Sequence, residues 1–168
     1  LNGIFILLTS KLDLIVETIK SRCQKLKFDP FTNNELKNLI IDPSKNENEN
    51  QEMLNEYEPL IYLANGSPNR LQEYKRIWEE IPDIIKNKIK VKIDDYSLIF
   101  TLGKLITDEL DLSQQKFLVE YLQYIWWKET NDKNIIQLLE DIKINLANHI
   151  QPRLSWEVNL LKIAIKDY

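Results

Sequence analysis

Four stretches in the second half of the chain carry apolar residues at helical spacing, and they constrain the fold more than any other feature. Such spacing places the apolar side chains on one face of a helix, which must then pack against other helices. The first two stripes are Leu98, Ile99, Leu102, Leu105 and Ile106, then Phe117, Leu118, Tyr121, Leu122 and Ile125. The other two are Ile135, Leu139, Ile142 and Leu146, then Leu154, Val158, Leu161 and Ile165. Joined by the short connections "LDLS" and "TNDKN", the four stretches predict an antiparallel helical domain at residues 91–168.

Residues 29–90 contain start and stop signals for three shorter helices. Thr32 or Asn33 is a typical N-cap for the first of them. The polar stretch "DPSKNENENQE" follows, and its lack of apolar residues predicts a loop with a disordered middle. We expect the second helix to cover about Glu52–Ala64. The three helices together predict a small bundle.

The boundary between the second and third of these helices has the clearest signals in the chain. Asn65 and Gly66 form a glycine stop signal. Ser67 then offers an N-cap, and Pro68 suits the first helical position because its missing N–H has no partner there anyway. The third helix is expected to continue to about Glu80.

The first 28 residues have a different sequence pattern from the rest of the chain. Gly3–Thr9 is a continuous apolar run, typical of a strand covered on both faces. A helix is predicted over Leu12–Arg22, and the alternation in Cys23–Phe28 predicts a second strand near a sheet edge. Two strands around a helix indicate the end of an α/β domain. Because the chain starts inside a predicted strand and without Met, we expect it to be a fragment of a longer protein.

Composition excludes several function classes. Cys23 is the single cysteine and His149 the single histidine, so the chain cannot build a disulfide or a zinc site of several Cys and His ligands, and a reducing cytoplasm fits best. A net charge of −4 argues against a large DNA-binding surface. No apolar run approaches the length of a membrane span. There is no phosphate-binding loop and no catalytic cluster, so no complete active site is expected.

Arg22 stands where the predicted helix meets the second predicted strand. As a structural residue it is a cation at a helix C-terminus, which the helix dipole favours by roughly a few tenths of a kcal/mol. As a functional residue it extends a planar, permanently charged guanidinium from the domain edge, a group suited to a phosphate on a neighbouring subunit. The letters "SRC" alone favour the structural role.

Three stretches, taken in chain order, resemble parts of bacterial clamp-loader subunits, which are AAA+ proteins. "FILLTSKLDLIVETIKSRCQKLKF" is similar to the segment from their sensor-1 strand to their S-R-C motif. "IYLANGSPNRLQEY" looks like the G-S-P-x-R element of their lid, and "NHIQPRLSWEVNLLKI" resembles the closing helix of their collar domain. The order and spacing are those of the family, and the resemblance is to the delta-prime subunits of bacterial DNA polymerase III.

The resemblance implies a mainly α fold in three parts. Residues 1–28 would be the end of an AAA+ α/β core, with two strands and a helix, and the N-terminal ATPase core would lie outside the chain. Residues 29–90 would form a three-helix lid, and residues 91–168 a helical collar that holds subunits in a ring. In the closing helix, Pro152 would start the first turn and Arg153 would pair with Glu157.

The resemblance also implies a role for Arg22 in trans. Its guanidinium would reach the γ-phosphate of ATP on an adjacent gamma or tau subunit. Ser21 would position the backbone, and Cys23 would pack inward as a small apolar residue. Mg-ATP is therefore expected at the interface with that subunit, and no cofactor is expected on this chain alone.

Three further residues fall at nucleotide-sensing positions of the family. Thr9 and Ser10 lie at sensor 1, but Lys11 stands where an Asn often appears. Arg70 lies near sensor 2, offset by one residue from the spacing in the ATP-hydrolysing gamma and tau subunits. These departures are consistent with a subunit whose own site is inactive, and they favour a helix-surface contact for Arg70.

The implied function is that of a non-catalytic subunit of a DNA polymerase holoenzyme, a nucleotidyltransferase complex. It would help to load the sliding clamp onto primed DNA, in a hetero-pentamer with gamma or tau and delta subunits. Two alternatives stay open. The first is a gamma- or tau-like subunit with its ATP site upstream. The second is an unrelated helical interaction module, for which residues 1–28 would not form a two-stranded sheet edge.

Overall fold

The computed structural model describes residues 3–89 and 96–165, and these residues are mainly helical, as predicted. They contain one 3₁₀ helix, Leu12–Leu14, and nine α-helices. The α-helices are α1 Glu17–Lys20, α2 Asn33–Asn38, α3 Glu47–Ala64, α4 Pro68–Glu80, α5 Asp83–Ile89, α6 Tyr96–Glu109, α7 Leu112–Thr130, α8 Lys133–Ala147 and α9 Pro152–Ile165.

The strands predicted at Gly3–Thr9 and Cys23–Phe28 are wrong: both segments lack strand structure, and the part of the chain that the structure describes contains no strand. An extended backbone becomes a strand only where a neighbouring strand satisfies its N–H and C=O groups, and neither segment has such a neighbour here. The helix predicted over Leu12–Arg22 is reduced to the 3₁₀ turn and the single turn of α1. Helices this short depend on tertiary packing, and neither buries a residue.

The caps of α2 and α4 follow the sequence signals. Thr32 caps α2 with a capping box, in which the Thr32 N–H donates to Glu35 Oε2 at 2.8 Å and the Glu35 N–H donates to Thr32 Oγ1 at 3.3 Å. Ser67 caps α4, with Pro68 at its first position. The two residues before Ser67 have positive φ, 47° at Asn65 and 76° at Gly66, which ends α3.

The disordered loop predicted before α3 is wrong in its second half. Asn46 is the N-cap of α3, and its side chain accepts the Glu49 N–H at 2.9 Å. Two acidic residues in the first turn, Glu47 and Glu49, also suit the positive end of the helix. The second half of the polar stretch therefore contains the N-cap and the first turn of α3.

Helices α6–α9 pack together as predicted. α7 packs on α8, α8 on α9, and α9 on α6. The stripe predicted on α8 is wholly buried. On α6 and α7 most of each predicted stripe is buried, although Leu98 is exposed and Leu105 and Ile125 are half-buried.

Three of the four residues in the stripe predicted for α9 are exposed, and the fourth, Leu161, is half-buried against the core. Leu154 is 52% exposed and Val158 and Ile165 also face outward, whereas the buried residues are Ser155, Trp156, Asn159 and Leu160. Trp156 Nε1–H donates to Gln115 Oε1 at 3.1 Å, so the largest side chain of α9 is anchored in the core. The two small polar residues are also satisfied, because Asn159 Nδ2 donates to the Ser155 carbonyl at 2.9 Å and Ser155 Oγ accepts from Asn145 Nδ2 at 3.0 Å. Burial of Trp156 thus determined which face of α9 points inward.

Aromatic side chains join α4 to α7. Trp78 stacks on Tyr121 with ring centroids 4.4 Å apart, and Tyr74 lies 5.1 Å from Phe117. The buried residues of α2–α5 and α6–α9 form one continuous core. The predicted boundary at residues 90 and 91 lies outside the described residues, and the division into three parts stays a prediction.

Candidate functional site

Arg22 follows α1 in an exposed turn. Its N–H donates to the Ile19 carbonyl at 3.0 Å, and the Ser21 N–H donates to the Glu17 carbonyl at 2.9 Å, so the backbone around the arginine is held by α1. The guanidinium makes no hydrogen bond or ion pair with any residue that the structure describes. A permanently charged, bidentate donor is therefore exposed to solvent at this turn.

The two neighbours of Arg22 in the motif are also exposed. Ser21 Oγ donates to the Thr18 carbonyl at 3.3 Å, which fixes the side chain against α1. Cys23, expected to pack inward, is exposed instead. The expected burial of Cys23 depended on the strand predicted at this position, and no strand forms in the part of the chain that the structure describes.

Thr9 and Ser10 lie in the exposed segment before the 3₁₀ helix. The Thr9 hydroxyl accepts the Lys11 N–H at 3.0 Å, a local turn contact. No described hydrogen bond or ion pair connects Thr9 or Ser10 with Arg22 or Arg70. Their assignment as nucleotide-sensing residues stays a prediction.

Arg70 lies on the first turn of α4, where the Ser67 cap receives its backbone N–H at 3.4 Å. Its Nη2 donates to the Tyr74 hydroxyl at 2.6 Å, and the guanidinium carbon lies 5.4 Å from the centre of the Tyr74 ring. The hydrogen bond to Tyr74 raises the pKa of Arg70 further above its already high value. The side chain thus contacts its own helix surface, as the sequence favoured, while a contact with nucleotide remains untested.

The turn at Gly66 attaches the segment that carries Arg22 to the helices. The Phe31 N–H donates to the Gly66 carbonyl at 3.0 Å, and a Cβ on Gly66 would lie 2.5 Å from Pro30 Cβ. A cleft of about 380 Å³ opens beside this contact. Its lining consists of residues 30–33, Tyr62, Asn65 and Gly66. Glycine is therefore required here both for its positive φ and for the close approach of Pro30.

A second cleft, of about 310 Å³, lies between α8 and α9. Its apolar lining includes Ile144, Ile150, Leu154 and Val158, all of them exposed. The outward stripe of α9 therefore borders a groove. The sequence signal that separates this stripe from the buried face was the pair Trp156 and Leu160, one turn apart.

The start of the closing helix and its ion pair match the sequence expectation. α9 begins at Pro152, and Arg153 Nε donates to Glu157 Oε1 at 2.7 Å. Glu157 also lies against α6, where its Cγ would be 2.7 Å from a Cβ added to Gly103. The ion pair raises the pKa of Arg153. Pro152, Arg153 and Glu157 thus have structural roles.

Residues 3–89 and 96–165 contain neither a cluster of metal ligands nor a membrane-spanning helix. No group of three or more His, Cys, Asp and Glu side chains in these ranges is placed to hold a metal ion. None of the helices in the same ranges combines the length and the apolar character that crossing a bilayer requires.

Comparison with known proteins identifies one family. The model of the C-terminal domain of cyanobacterial DNA polymerase III delta prime matches residues 44–163. Comparison with the curated proteins and with the solved structures gives no significant match. The family match includes Arg70 and nearly all of α9, and it begins after Arg22, so it does not reach the "SRC" motif.

The family match decides between the readings that the sequence left open. The hypothesis of an unrelated helical module predicted that residues 1–28 form no sheet edge, and residues 3–28 indeed contain no strand. That hypothesis does not account for a delta prime match over more than half of the chain. The family that matches is delta prime, not gamma or tau. The chain therefore belongs to the family of DNA polymerase III delta prime C-terminal domains and is part of a DNA polymerase III clamp-loader subunit.

Proposed function

We propose that the protein helps to load the sliding clamp onto primed DNA, and that Arg22 acts as an arginine finger for ATP on a neighbouring gamma or tau subunit. The family match over residues 44–163 carries the general proposal. The exposed guanidinium of Arg22, together with the resemblance around "SRC", supports the specific role of this residue. Mg-ATP would be bound mainly by the neighbour and would meet this chain only at the interface.

The surroundings of Arg22 suit a group that acts on another chain. A cation that stabilised its own fold would pair with a carboxylate or a carbonyl, as Lys20 does with Glu17 at 2.9 Å in α1, just before Arg22. The Arg22 guanidinium has no such partner among the described residues, whereas its backbone is fixed by the bond to Ile19. The donor is thus presented from a defined turn, and a phosphate can approach without breaking an existing pair.

The expected contribution of such a finger is large. An arginine supplied in trans stabilises the charge that develops on the transferred phosphoryl group, which accelerates hydrolysis by roughly 10³–10⁵-fold. Ser21 would hold the turn through its bond to Thr18, and Cys23 would lie at the same interface. Thr9, Ser10 and Arg70 would have no part in this reaction, because ATP belongs to the neighbour.

The proposed partners are other clamp-loader subunits, namely gamma or tau and delta, in a hetero-pentamer. The assembled complex would contact the sliding clamp and primed DNA. A chain with a net charge of −4 has no excess of cations for a broad contact with phosphates, so we expect DNA binding to depend mainly on the other subunits.

The test is ATP hydrolysis by the reconstituted complex with Arg22→Ala, Arg22→Lys and wild-type subunits. We expect single-turnover hydrolysis at the adjacent site to fall roughly 10³-fold with alanine. Lysine should rescue little, because it lacks the planar fork of guanidinium. The total rate of ATP hydrolysis by the complex should fall by the fraction that this one site contributes. Assembly, measured by size-exclusion chromatography, should be unchanged.

The matched control is Arg76→Ala, since Arg76 is an exposed arginine of α4 outside the motif. It should leave hydrolysis and assembly at wild-type levels. Wild-type hydrolysis by a fully assembled Arg22→Ala complex would contradict the finger, and a chain that fails to join the complex at all would contradict the clamp-loader role.

A further inference from the structure

A continuous chain of four polar side chains crosses three helices. Arg70 Nη2 on α4 donates to the Tyr74 hydroxyl at 2.6 Å, and that hydroxyl donates to Glu120 Oε2 on α7 at 3.0 Å. The other oxygen of the same carboxylate, Glu120 Oε1, accepts from Lys143 Nζ on α8 at 2.8 Å. The chain therefore connects the first turn of α4 with the middle of α8 through α7.

The direction of every hydrogen bond in this chain is fixed by chemistry. An arginine can only donate, and a carboxylate can only accept. The single hydroxyl hydrogen of Tyr74 must go to Glu120, so its lone pair is left for Arg70. Two cations thus converge on one carboxylate, one directly and one through the phenol. In such a chain each bond polarises the next, so that the loss of one member weakens the others.

Burial makes the middle of the chain the critical part. Tyr74 is buried, and Glu120 and Lys143 are half-buried. Burial is the main cause of the raised pKa of Tyr74, and the hydrogen bond from Lys143 to Glu120 raises the pKa of Lys143. A buried hydroxyl and a half-buried carboxylate are costly to leave without partners, and Arg70 supplies one of the bonds that complete the set.

We propose that Arg70 is a positioning residue that fixes α4 against α7 and α8 through Tyr74, and that it is not a nucleotide ligand. This inference concerns a residue that the proposed finger mechanism leaves unused, and it does not depend on that mechanism. The aromatic contacts of Tyr74 with Phe117 and of Trp78 with Tyr121 hold the same interface together. They are less directional than a charged hydrogen-bond chain, so the chain would determine the angle at which α4 meets α7.

The decisive comparison is between Arg70→Ala and Tyr74→Phe. The second variant keeps Arg70 and the packed ring and removes one oxygen atom. Spin labels at Gln72→Cys on α4 and Lys133→Cys on α8, in a Cys23→Ser background of the whole subunit, report the distance between the helices by pulsed EPR. Both label sites are exposed and lie outside the four-residue chain.

We expect the labelled protein without further substitutions to give one narrow distribution of distances between the two labels. Arg70→Ala and Tyr74→Phe should each broaden it to a similar extent, and the double variant should be no broader than either single one, because both break the same chain. Glu120→Gln should broaden it as well. Arg76→Ala, on the same helix, should leave it unchanged.

Three outcomes would overturn the proposal. The distribution could stay narrow in both single variants, which would show that packing alone sets the angle. The effects of Arg70→Ala and Tyr74→Phe on the width of the distribution could be additive, which would show that the two residues act independently. Finally, Arg70→Ala could weaken binding of a fluorescent ATP analogue while Tyr74→Phe leaves it intact, which would make Arg70 a nucleotide ligand.

Discussion

Residues 3–28 and helices α2–α9 have similar apolar side chains but opposite burial. Phe5 is 93% exposed and Leu8 89% exposed, whereas Trp156 is 0% exposed. A helix satisfies its own backbone, so α2–α9 needed only to bring their apolar faces together. An extended segment needs a neighbouring backbone as well as packing, and residues 3–28 find neither among the residues that the structure describes. Apolar content is therefore not enough to build a core, because the backbone must be satisfied first.

The largest expected effect comes from removing the centre of the packed region. Trp156→Ala would leave a cavity in the core and would remove the donor to Gln115 Oε1, so we expect the free energy of unfolding to fall by about 3–5 kcal/mol. Urea unfolding followed by circular dichroism measures the change. Two controls sharpen the comparison: Trp127→Ala, at a tryptophan that is 43% exposed, and Phe5→Ala in the N-terminal segment.

Phe5→Ala should change stability by less than about 0.5 kcal/mol, and Trp127→Ala should cost clearly less than Trp156→Ala. If Phe5→Ala lowered the free energy of unfolding by nearly as much as Trp156→Ala, the two regions would share one core. The comparison between exposed and packed regions would then be wrong.

An intermediate effect is expected where the two regions meet. Gly66→Ala places a Cβ 2.5 Å from Pro30 and gives alanine a φ of 76°, so the turn must move and stability should fall by about 2 kcal/mol. The Phe31 amide, which donates to the Gly66 carbonyl, should then exchange with solvent much faster in NMR. Gly3→Ala is the control, because the nearest atom to its Cβ is 3.8 Å away. Unchanged exchange at Phe31 in Gly66→Ala would mean that the junction is not anchored there.

The smallest effect is expected at the start of α2, the first helix with a residue in the core. The Thr32 backbone N–H, and then the Thr32 hydroxyl, lower the pKa of the Glu35 carboxyl. Because this pKa is lower in the folded protein than in the unfolded chain, the capping box contributes its full stabilisation at pH values above the ordinary pKa of Glu35. The stabilisation is lost as the pH falls through the folded-state pKa.

Thr32→Ala removes the hydroxyl and keeps the backbone bond, so the pKa of Glu35 should rise part of the way toward its ordinary value. The loss of the cap should cost about 1 kcal/mol at neutral pH. NMR titration of the Glu35 carboxyl and urea unfolding test both statements. Thr18→Ala on exposed α1 is the matched control and should change stability little. An unchanged Glu35 pKa in Thr32→Ala would show that the hydroxyl bond does not contribute.

Local signals predicted the elements whose ends are determined by nearby residues. Ser67 and Pro68 gave the start of α4, and Thr32 was correctly proposed as a cap. The strand predictions at Gly3–Thr9 and Cys23–Phe28 failed because strand pairing is a long-range property that a short apolar run cannot reveal. The same limit explains the exposed thiol of Cys23.

The face of α9 shows a second limit of sequence patterns. Leu154, Val158 and Ile165 have helical spacing, and so do Trp156 and Leu160. Periodicity cannot choose between two apolar faces on one helix. Trp156 decided the choice, because its large ring fits the space beside Gln115 and its indole N–H finds an acceptor there.

The candidate site was predicted only in part. The exposed position of Arg22 after a helical turn agrees with the sequence, and so does the helix-surface contact of Arg70 with Tyr74. The continuation of that contact to Glu120 and Lys143 was not predicted, because these residues are far from Arg70 in the sequence and have no motif of their own. Only the packing of α7 between α4 and α8 brings them together.

The sequence by itself determined a mainly helical chain, the caps of α2 and α4, the stop at Gly66 and the resemblance to clamp-loader subunits. These features depend on residues close together in the chain, where backbone geometry and short hydrogen bonds decide the outcome. The tertiary structure alone decided which face of α9 is buried, that residues 3–28 contain no strand, and that Arg70 is connected to α8. Each of these depends on a partner distant in sequence, which only the packed helices can supply.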